Sequence, residues 1–345
     1  MPLSSDLSLN VSKFRSENIS EAAKSANHLQ EERAAKGPRW YEVGAAEYRE
    51  MREQGQTSLP APEYLPDATD GAIPSRDHGR TIPIRVYKPD NGRPSRGVLL
   101  HVHGGGFIIG SHRHSDRILQ VYANECQLTA ISVGYRLAPE HPHPAAVHDC
   151  IDAASHLAEH GRELYGAPLQ FIAGESAGGC LALLCVFDFL RSHPSHHLLG
   201  LVLFYGYFDL ALGLPSVTTS TKCLMTNRVA LQRYCDAYLP GIPESERRDA
   251  SISPLYQDLP ALLAQYRAVL PPALFVCGSE DPLLDDTLLM SIKWNTAGGE
   301  AVVKVYPGAA HGFLIISGLP VADEAKSDAL RFIWEKLQGP HGDGL

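Results

Sequence analysis

A serine framed by glycines is the first group in this sequence that could act as a nucleophile. Ser176 lies within GESAG (174–178), after an apolar run and before a stretch with helical spacing. Glycines two positions before and after a serine leave room for the tight turn that exposes a nucleophile between a strand and a helix. A helix that begins at Ala177 points the positive end of its dipole at the same place, which favours a developing oxyanion. An ordinary serine in a glycine-rich turn is the alternative at this point.

Three consecutive glycines form the second signal, because they follow another apolar run within HGGGF (103–107). Glycine carries no side chain, so the backbone N–H groups of this loop are free to donate to an oxyanion. A phosphate-binding loop is disfavoured, since the segment has neither a Gly-Lys-Ser/Thr ending nor G-x-G-x-x-G spacing. Taken alone, the motif could also be a plain flexible loop.

A candidate acid and a candidate base follow the serine along the chain. Asp281 comes 105 positions after Ser176, and His311 comes 30 positions after Asp281. Serine, aspartate and histidine recur in this order in hydrolases whose histidine takes the proton of the serine while the aspartate orients the imidazole. Asp285 and Asp286 are alternatives for the acid. Together with the glycine loop, these residues predict acyl transfer at Ser176.

The four motifs each follow a predicted strand, which would bring them to one edge of a sheet. Short apolar runs alternate with stretches of helical spacing, and this alternation is typical of an α/β fold with a mostly parallel, doubly wound sheet. The predicted strands are 81–87, 97–103, 128–135, 169–174, 200–208, 272–278 and 301–307, and the predicted helices among them are 145–160, 177–191, 286–297 and 321–337.

Two segments stand outside this alternation. Residues 13–55 predict two helices that are broken near Gly37 and Pro38, and the proline-rich residues 57–80 predict an extended linker. Residues 209–262 are too long for a simple connection, so we expect them to form an insertion over the strand ends. The predicted organisation is an N-terminal helical cap segment, the first part of the core, an inserted cap segment and the second part of the core, at 1–60, 61–208, 209–262 and 263–345.

Composition excludes several classes of function. The 345 residues carry a formal net charge of −9, which argues against nucleic acid and against anionic lipid surfaces. No apolar run is long enough to span a membrane, and the amino terminus does not resemble a secretory signal. The seven cysteines are scattered and mostly lie in apolar runs, which indicates reduced, buried thiols and a cytoplasmic location.

Other polar residues invite structural interpretations. Arg136 and Glu140 in YRLAPE predict an ion pair that braces the loops around the site. Several histidine pairs, such as His112 with His114, have spacings that can bind metal, but no cysteine or carboxylate completes a ligand set. The sequence therefore predicts neither a metal nor a cofactor.

The motifs together resemble the hormone-sensitive-lipase-like branch of the α/β-hydrolases, a family of esterases and lipases. The matching segments are HGGGF (103–107), YRLAPEHPHPAA (135–146), GESAGG (174–179), DPLLDD (281–286) and HGF (311–313). The resemblance implies that Ser176 is the nucleophile, Asp281 the acid and His311 the base, with an oxyanion hole formed by the backbone N–H groups of Gly105, Gly106 and Ala177. One position departs from the family, because Glu175 stands where aspartate or threonine is usual.

The resemblance implies a serine esterase that cleaves small carboxylic esters of short to medium acyl chain through an acyl-enzyme, and a possible homodimer. A tailoring hydrolase, deacetylase or thioesterase for one specialised metabolite would use the same residues. A ligand-binding receptor on this fold is the alternative from another class, and the presence of His311 disfavours it because such receptors have lost the base.

Overall fold

A mixed eight-stranded sheet forms the centre of the computed structural model, which describes residues 7–339. Two short ends lie outside the described residues: residues 1–6 of the predicted N-terminal cap segment and residues 340–345 of the predicted second core segment. The strands are β1 (Thr69–Pro74), β2 (Thr81–Tyr87), β3 (Gly97–Val102), β4 (Leu128–Val133), β5 (Leu169–Glu175), β6 (Gly200–Phe204), β7 (Ala273–Gly278) and β8 (Ala301–Tyr306).

Eleven α-helices within residues 7–339 surround or extend this sheet. In chain order they are α1 (Glu21–Lys36), α2 (Trp40–Val43), α3 (Ala45–Glu53), α4 (Asp116–Cys126), α5 (Ala145–Tyr165), α6 (Ala177–Ser192), α7 (Pro215–Thr219), α8 (Arg228–Tyr238), α9 (Leu259–Tyr266), α10 (Leu284–Thr296) and α11 (Pro320–Gln338). Short 3₁₀ helices occur at Val11–Phe14, Ser16–Asn18, His112–Ser115, Pro254–Tyr256 and Phe313–Ile315.

The sheet runs in the order β1-β2-β4-β3-β5-β6-β7-β8. The strands from β4 to β8 are parallel, whereas β2 is antiparallel to both of its neighbours. Along β3, Val98, Leu100 and Val102 belong to one buried apolar cluster and Leu99 to another. Successive side chains of a strand point to opposite faces, so the sheet is covered by apolar core on both sides. The predicted fold class, an α/β-hydrolase-type doubly wound sheet, is therefore confirmed.

Two expectations about elements were wrong. The predicted linker 57–80 contains β1, which pairs antiparallel with β2 from Thr69 opposite Val86 to Pro74 opposite Thr81. This strand has only one neighbour and its side chains are mostly exposed, so it lacks the apolar alternation that would reveal it. The N-terminal region forms three helices instead of two, because a further break occurs at Gly44, whose φ is 97°.

The insertion 209–262 contains the helices α7 and α8, and α9 begins within it and ends at Tyr266. It meets the N-terminal helical region directly, since the rings of Trp40 and Tyr234 stack with centroids 5.2 Å apart. The assignment of both segments as a cap, with boundaries at 60, 208 and 262, stays a prediction.

Within the described range, no helix combines the length and the apolar character that a membrane crossing requires. All seven cysteines are free, and six of them are buried.

Candidate active site

Ser176 occupies a sharp turn between β5 and α6. Its backbone has φ 54° and ψ −118°, a conformation that costs a non-glycine residue about 1–3 kcal/mol. The turn is tight enough that a Cβ on Gly178 would lie 2.0 Å from the carbonyl oxygen of Val102, and a Cβ on Gly174 would lie 2.4 Å from that of Gly178. The neighbouring strand holds the turn in place, because the Ser176 N–H donates to the Phe204 carbonyl at 3.0 Å.

The structure brings Ser176, His311 and Asp281 together from the ends of three strands. Ser176 Oγ lies 2.8 Å from His311 Nε2, and His311 Nδ1 lies 3.1 and 3.0 Å from the two carboxylate oxygens of Asp281. Asp281 is 3 % exposed and His311 is 8 % exposed, whereas Ser176 is only half-buried. A half-buried hydroxyl is thus connected to an imidazole and a carboxylate that are shielded from solvent.

Local contacts fix the orientation of the Asp281 and His311 side chains. Asp281 Oδ1 also accepts from the Leu283 N–H at 2.8 Å. The rings of His311 and Tyr205 form a T-shaped contact, with centroids 5.0 Å apart. Tyr205 itself has a φ of 37° and donates its N–H to the Val276 carbonyl, so this contact follows from the loop that leaves β6.

The two alternative acids have other partners. Asp285 accepts from the Ser216 N–H at 2.8 Å. Asp286 is fully buried and accepts from the N–H groups of Phe208 and Asp209, both at 2.7 Å. Burial raises the pKa of Asp286 well above its ordinary value. Both carboxyls thus fasten the start of the 209–262 insertion to α10, and only Asp281 reaches the imidazole.

The glycine loop adopts backbone conformations that favour glycine. Gly105 has φ 112° and Gly106 has φ 60°, and a Cβ on Gly105 would lie 2.5 Å from the nitrogen of Gly110. Within residues 7–339, no protein acceptor receives a hydrogen bond from the amide of Gly105 or of Gly106. Ala177 is the first residue of α6, where helix amides have no intrahelical partner. These three amides are available to an oxyanion.

His103 anchors the glycine loop, a role that the sequence did not assign. Its Nδ1 lies 2.8 Å from the Gly104 carbonyl, and its ring stacks on that of Tyr135 with centroids 4.1 Å apart. The Tyr135 hydroxyl in turn donates to the His103 carbonyl at 2.8 Å. Burial lowers the pKa of His103 well below its ordinary value, so the imidazole stays neutral and serves as a fixed donor to the loop.

Arg49 of α3 is a second anchor that no sequence pattern indicated. Its Nε donates to the Ile108 carbonyl at 2.6 Å, next to the glycine loop, and its Nη2 donates to the Ala138 carbonyl at 2.7 Å. Both terminal nitrogens also bind the Glu140 carboxylate at 2.9 Å. These hydrogen bonds lower the pKa of Glu140. One guanidinium thus joins the N-terminal helices to two loops near Ser176.

The expected ion pair between Arg136 and Glu140 was wrong. Arg136 instead contacts both oxygens of Asp149, at 3.0 and 2.9 Å, and pairs with Asp77 at 2.8 Å. The Asp149 side chain is fully buried, so it needs such partners. Glu140 pairs with Arg49 instead, so Arg136 and Glu140 each take part in an ion pair, but not with each other.

Glu175, the departure from the family pattern, lies behind the nucleophile. Its Oε1 is 2.6 Å from His101 Nε2, and His101 Nδ1 is 3.0 Å from the Ser132 hydroxyl. The extra methylene relative to aspartate lets this carboxylate reach across from β5 to β3. The Glu175 side chain therefore connects β5 to β3 beneath the turn that carries Ser176.

No cluster of three or more histidine, cysteine, aspartate or glutamate side chains in the described part of the chain is placed to hold a metal ion.

Comparison with known proteins shows to which family the chain belongs. A family model described as alpha/beta hydrolase fold matches residues 99–315, the stretch that carries all four motifs. The chain belongs to the alpha/beta hydrolase fold family. The resemblance drawn from HGGGF, GESAGG and the later motifs is thereby confirmed.

Three relatives within this family illustrate the similarity. The carboxylesterase NlhH of Mycobacterium tuberculosis is 29% identical over 294 residues, which cover 84% of this chain and 87% of the relative. An acetyl esterase of Salmonella choleraesuis is 29% identical over 263 residues, covering 75% and 78%. The solved hyperthermophilic esterase of the archaeon Pyrobaculum calidifontis has a TM-score of 0.76 at 29% identity, covering 92% of this chain and 98% of that one.

Proposed function

We propose that this chain is a serine carboxylesterase that hydrolyses small esters of short to medium acyl chain, with Ser176, His311 and Asp281 as its catalytic residues. The observation that carries the proposal is the continuous contact from Ser176 Oγ to His311 Nε2 at 2.8 Å and from His311 Nδ1 to Asp281 at 3.0 Å. Relatives named carboxylesterase and acetyl esterase, each 29% identical to this chain over the aligned residues, support an ester as substrate.

The chemistry is acyl transfer in two halves. His311 Nε2 takes the proton of Ser176 as Oγ attacks the ester carbonyl, and the amides of Gly105, Gly106 and Ala177 donate to the oxyanion that forms. The imidazolium, stabilised by Asp281, then gives its proton to the leaving alcohol. Water attacks the acyl-enzyme in the second half, again through His311, and releases the acid.

A small acyl group fits the way in which the site is covered. Trp40 of the N-terminal helices stacks on Tyr234 of the insertion, and Tyr234 lies against the glycine loop. Two chain segments that meet over the site favour a closed pocket, which suits chains of about two to eight carbons better than a lipid surface.

The test is a series of nitrophenyl esters with two to sixteen acyl carbons, assayed with the wild type and with Ser176→Ala. We expect the highest kcat/KM at eight carbons or fewer, and a loss of about 10⁴-fold in kcat in the variant. A maximum at twelve or more carbons, with a jump above the aggregation point of the ester, would contradict the small substrate. A variant that keeps a tenth of the activity would contradict the nucleophile.

Two further proposals concern the cellular location and the oligomeric state of the protein. A cytoplasmic location rests on the seven free cysteines, which suit a reducing compartment. A homodimer rests only on the resemblance to the family.

A further inference from the structure

Tyr234 of α8 lies directly against the glycine loop. A Cβ built on Gly106 would lie 2.2 Å from Cδ1 and 2.5 Å from Cγ and Cε1 of Tyr234. The ring thus fills the space that any side chain at position 106 would occupy, and it borders the loop whose amides face the oxyanion. The side chain is half-buried, so part of it remains open to a ligand.

The N-terminal helices hold this ring in place. Trp40 stacks on Tyr234 at 5.2 Å with an angle of 26° between the planes, and it also makes a T-shaped contact with the ring of Tyr41 at 5.8 Å. The Tyr41 hydroxyl accepts from Arg39 Nη1 at 2.9 Å, and Arg233 lies over the Tyr41 ring. Trp40 is only 9 % exposed. A ring supported in this way is a rigid wall, since moving it would disturb a buried tryptophan.

Met225 lies near the residue that follows the base. A Cβ built on Gly312, the residue that follows His311, would lie 3.5 Å from Cε and 3.6 Å from Cγ of Met225. These are ordinary van der Waals distances, so the Met225 side chain lies where it would contact a side chain at position 312, next to the base. Met225 is half-buried and belongs to the insertion, ahead of α8. Its flexible side chain can adapt to groups of different shape.

The direction of proton transfer indicates which part of the ester lies near His311 and which part lies away from it. The leaving alcohol must lie on the His311 side, because its oxygen takes the proton from Nε2. The acyl chain leaves the same carbonyl carbon in another direction, away from the imidazole. We therefore infer, on the basis of the proposed function, that Tyr234 limits the acyl group and Met225 contacts the alcohol group of the ester. The two halves of substrate specificity would then be set by two residues nine positions apart in one segment.

The test uses two ester series that vary one half at a time. Nitrophenyl acetate, butyrate and octanoate vary the acyl group, and ethyl, butyl and benzyl acetates, followed by acid release, vary the alcohol. Tyr234→Ala should raise the octanoate-to-butyrate ratio of kcat/KM by about tenfold and leave the ratios among the acetates within about twofold. Met225→Ala should change the ratios among the acetates about fivefold and leave the nitrophenyl ratios unchanged.

Matched variants separate an effect of side-chain shape on specificity from an effect of the substitution on folding. Tyr234→Phe keeps the ring and should keep the wild-type acyl profile, and Met225→Leu keeps most of the volume and should keep the alcohol profile. If Tyr234→Ala fails to give the thermal midpoint and circular dichroism of a folded protein, Tyr234→Leu carries the same expectation, because it also removes the ring.

The outcomes distinguish this inference from the function on which it rests. If the wild type hydrolyses neither series, or Ser176→Ala hydrolyses both as fast as the wild type does, the proposed function is wrong. If the wild type is active through Ser176 but ring removal changes the alcohol ratios, or changes neither set of ratios, the inference about Tyr234 is overturned. An unchanged alcohol profile in Met225→Ala overturns the inference about Met225.

Discussion

Ser176 holds a backbone conformation that serine rarely adopts, with φ 54° between the end of β5 and the start of α6. The strain is maintained because the glycines at 174 and 178 let the turn close against Val102. A backbone strained in this way at a half-buried hydroxyl is common at functional sites, where it exposes a reactive group. The residue with the strained backbone is the same one whose hydroxyl contacts His311.

The acid is tested by replacing each candidate carboxylate in turn. Asp281→Asn should lower kcat by about 10⁴-fold with little change in KM, because the amide favours the wrong imidazole tautomer while substrate binding is untouched. Asp285→Asn is the matched control, since that carboxylate accepts from the Ser216 N–H and does not reach His311. Steady-state kinetics of both variants decide the matter, and a severe loss in Asp285→Asn with a mild one in Asp281→Asn would reverse the assignment.

Residues in local motifs were predictable, whereas partners from distant segments were not. The motifs, their order and the family resemblance together pointed to Ser176, Asp281 and His311, which the structure places within hydrogen-bonding distance. The partner of Glu140 could not be selected in this way, because Arg49 lies 91 positions away on a helix with no motif. His103 was part of a recognised motif, but its anchoring role depends on the ring of Tyr135, which only the folded chain brings near.

At the scale of elements, the candidate catalytic groups lie in loops, and hydrogen bonds from a helix fix the positions of such loops. Arg49 illustrates this, because one side chain of α3 donates to the carbonyls of Ile108 and Ala138 in two different loops. The first of these loops carries Gly105 and Gly106, whose amides we propose as donors to the oxyanion. A loop that moved by a fraction of an ångström would present those amides at poorer distances.

Arg49→Met should therefore weaken both folding and turnover. Losing the charged hydrogen bonds to the two carbonyls should lower the free energy of unfolding by about 2 kcal/mol. We expect kcat to fall about tenfold with KM nearly unchanged, since the oxyanion is bound in the transition state. Urea unfolding and steady-state kinetics measure the two effects.

A matched control is Arg76→Met, because Arg76 pairs with Asp152 and makes none of these loop contacts. Equal losses of kcat in the two variants would show that Arg49 acts only through general stability.

Elements with strong periodicity were easier to predict than marginal ones. The strands β3 to β8 all coincide with predicted runs, although β5 extends one residue beyond its run, to Glu175, and β6 ends at Phe204 where the run continues to 208. Helix α4 was not predicted, and β1 was assigned to a linker. The edge position of β1 explains the error, because a strand with five of its six residues exposed carries almost no apolar signal.

At the scale of the whole molecule, the parallel strands of the sheet bring together groups that are far apart in the chain. The strands β3, β5, β7 and β8 end at the same edge, where the glycine loop, Ser176, Asp281 and His311 follow them. Open parallel sheets bind their ligands at this edge. The apolar clusters on both faces fix the strands, so the positions of the catalytic groups depend on the core as a whole.

Removal of divalent metal ions should leave the activity unchanged. The proposed mechanism polarises the ester carbonyl with backbone amides, so a Lewis acid has no step to perform in it. Dialysis against a chelator, followed by the nitrophenyl butyrate assay with and without added zinc, measures this. Activity that is lost on dialysis and restored by zinc would contradict the mechanism.

The most direct test of the central claim is to trap the nucleophile covalently. Diethyl nitrophenyl phosphate reacts with an activated serine, whose Oγ forms a bond to phosphorus and displaces nitrophenolate. We expect one nitrophenolate released per chain, complete loss of esterase activity, and a diethylphosphoryl group located by mass spectrometry on Ser176. Ser176→Ala should release none. Full esterase activity after exposure, or a phosphoryl group on any other residue of an inactivated protein, would contradict the assignment of Ser176.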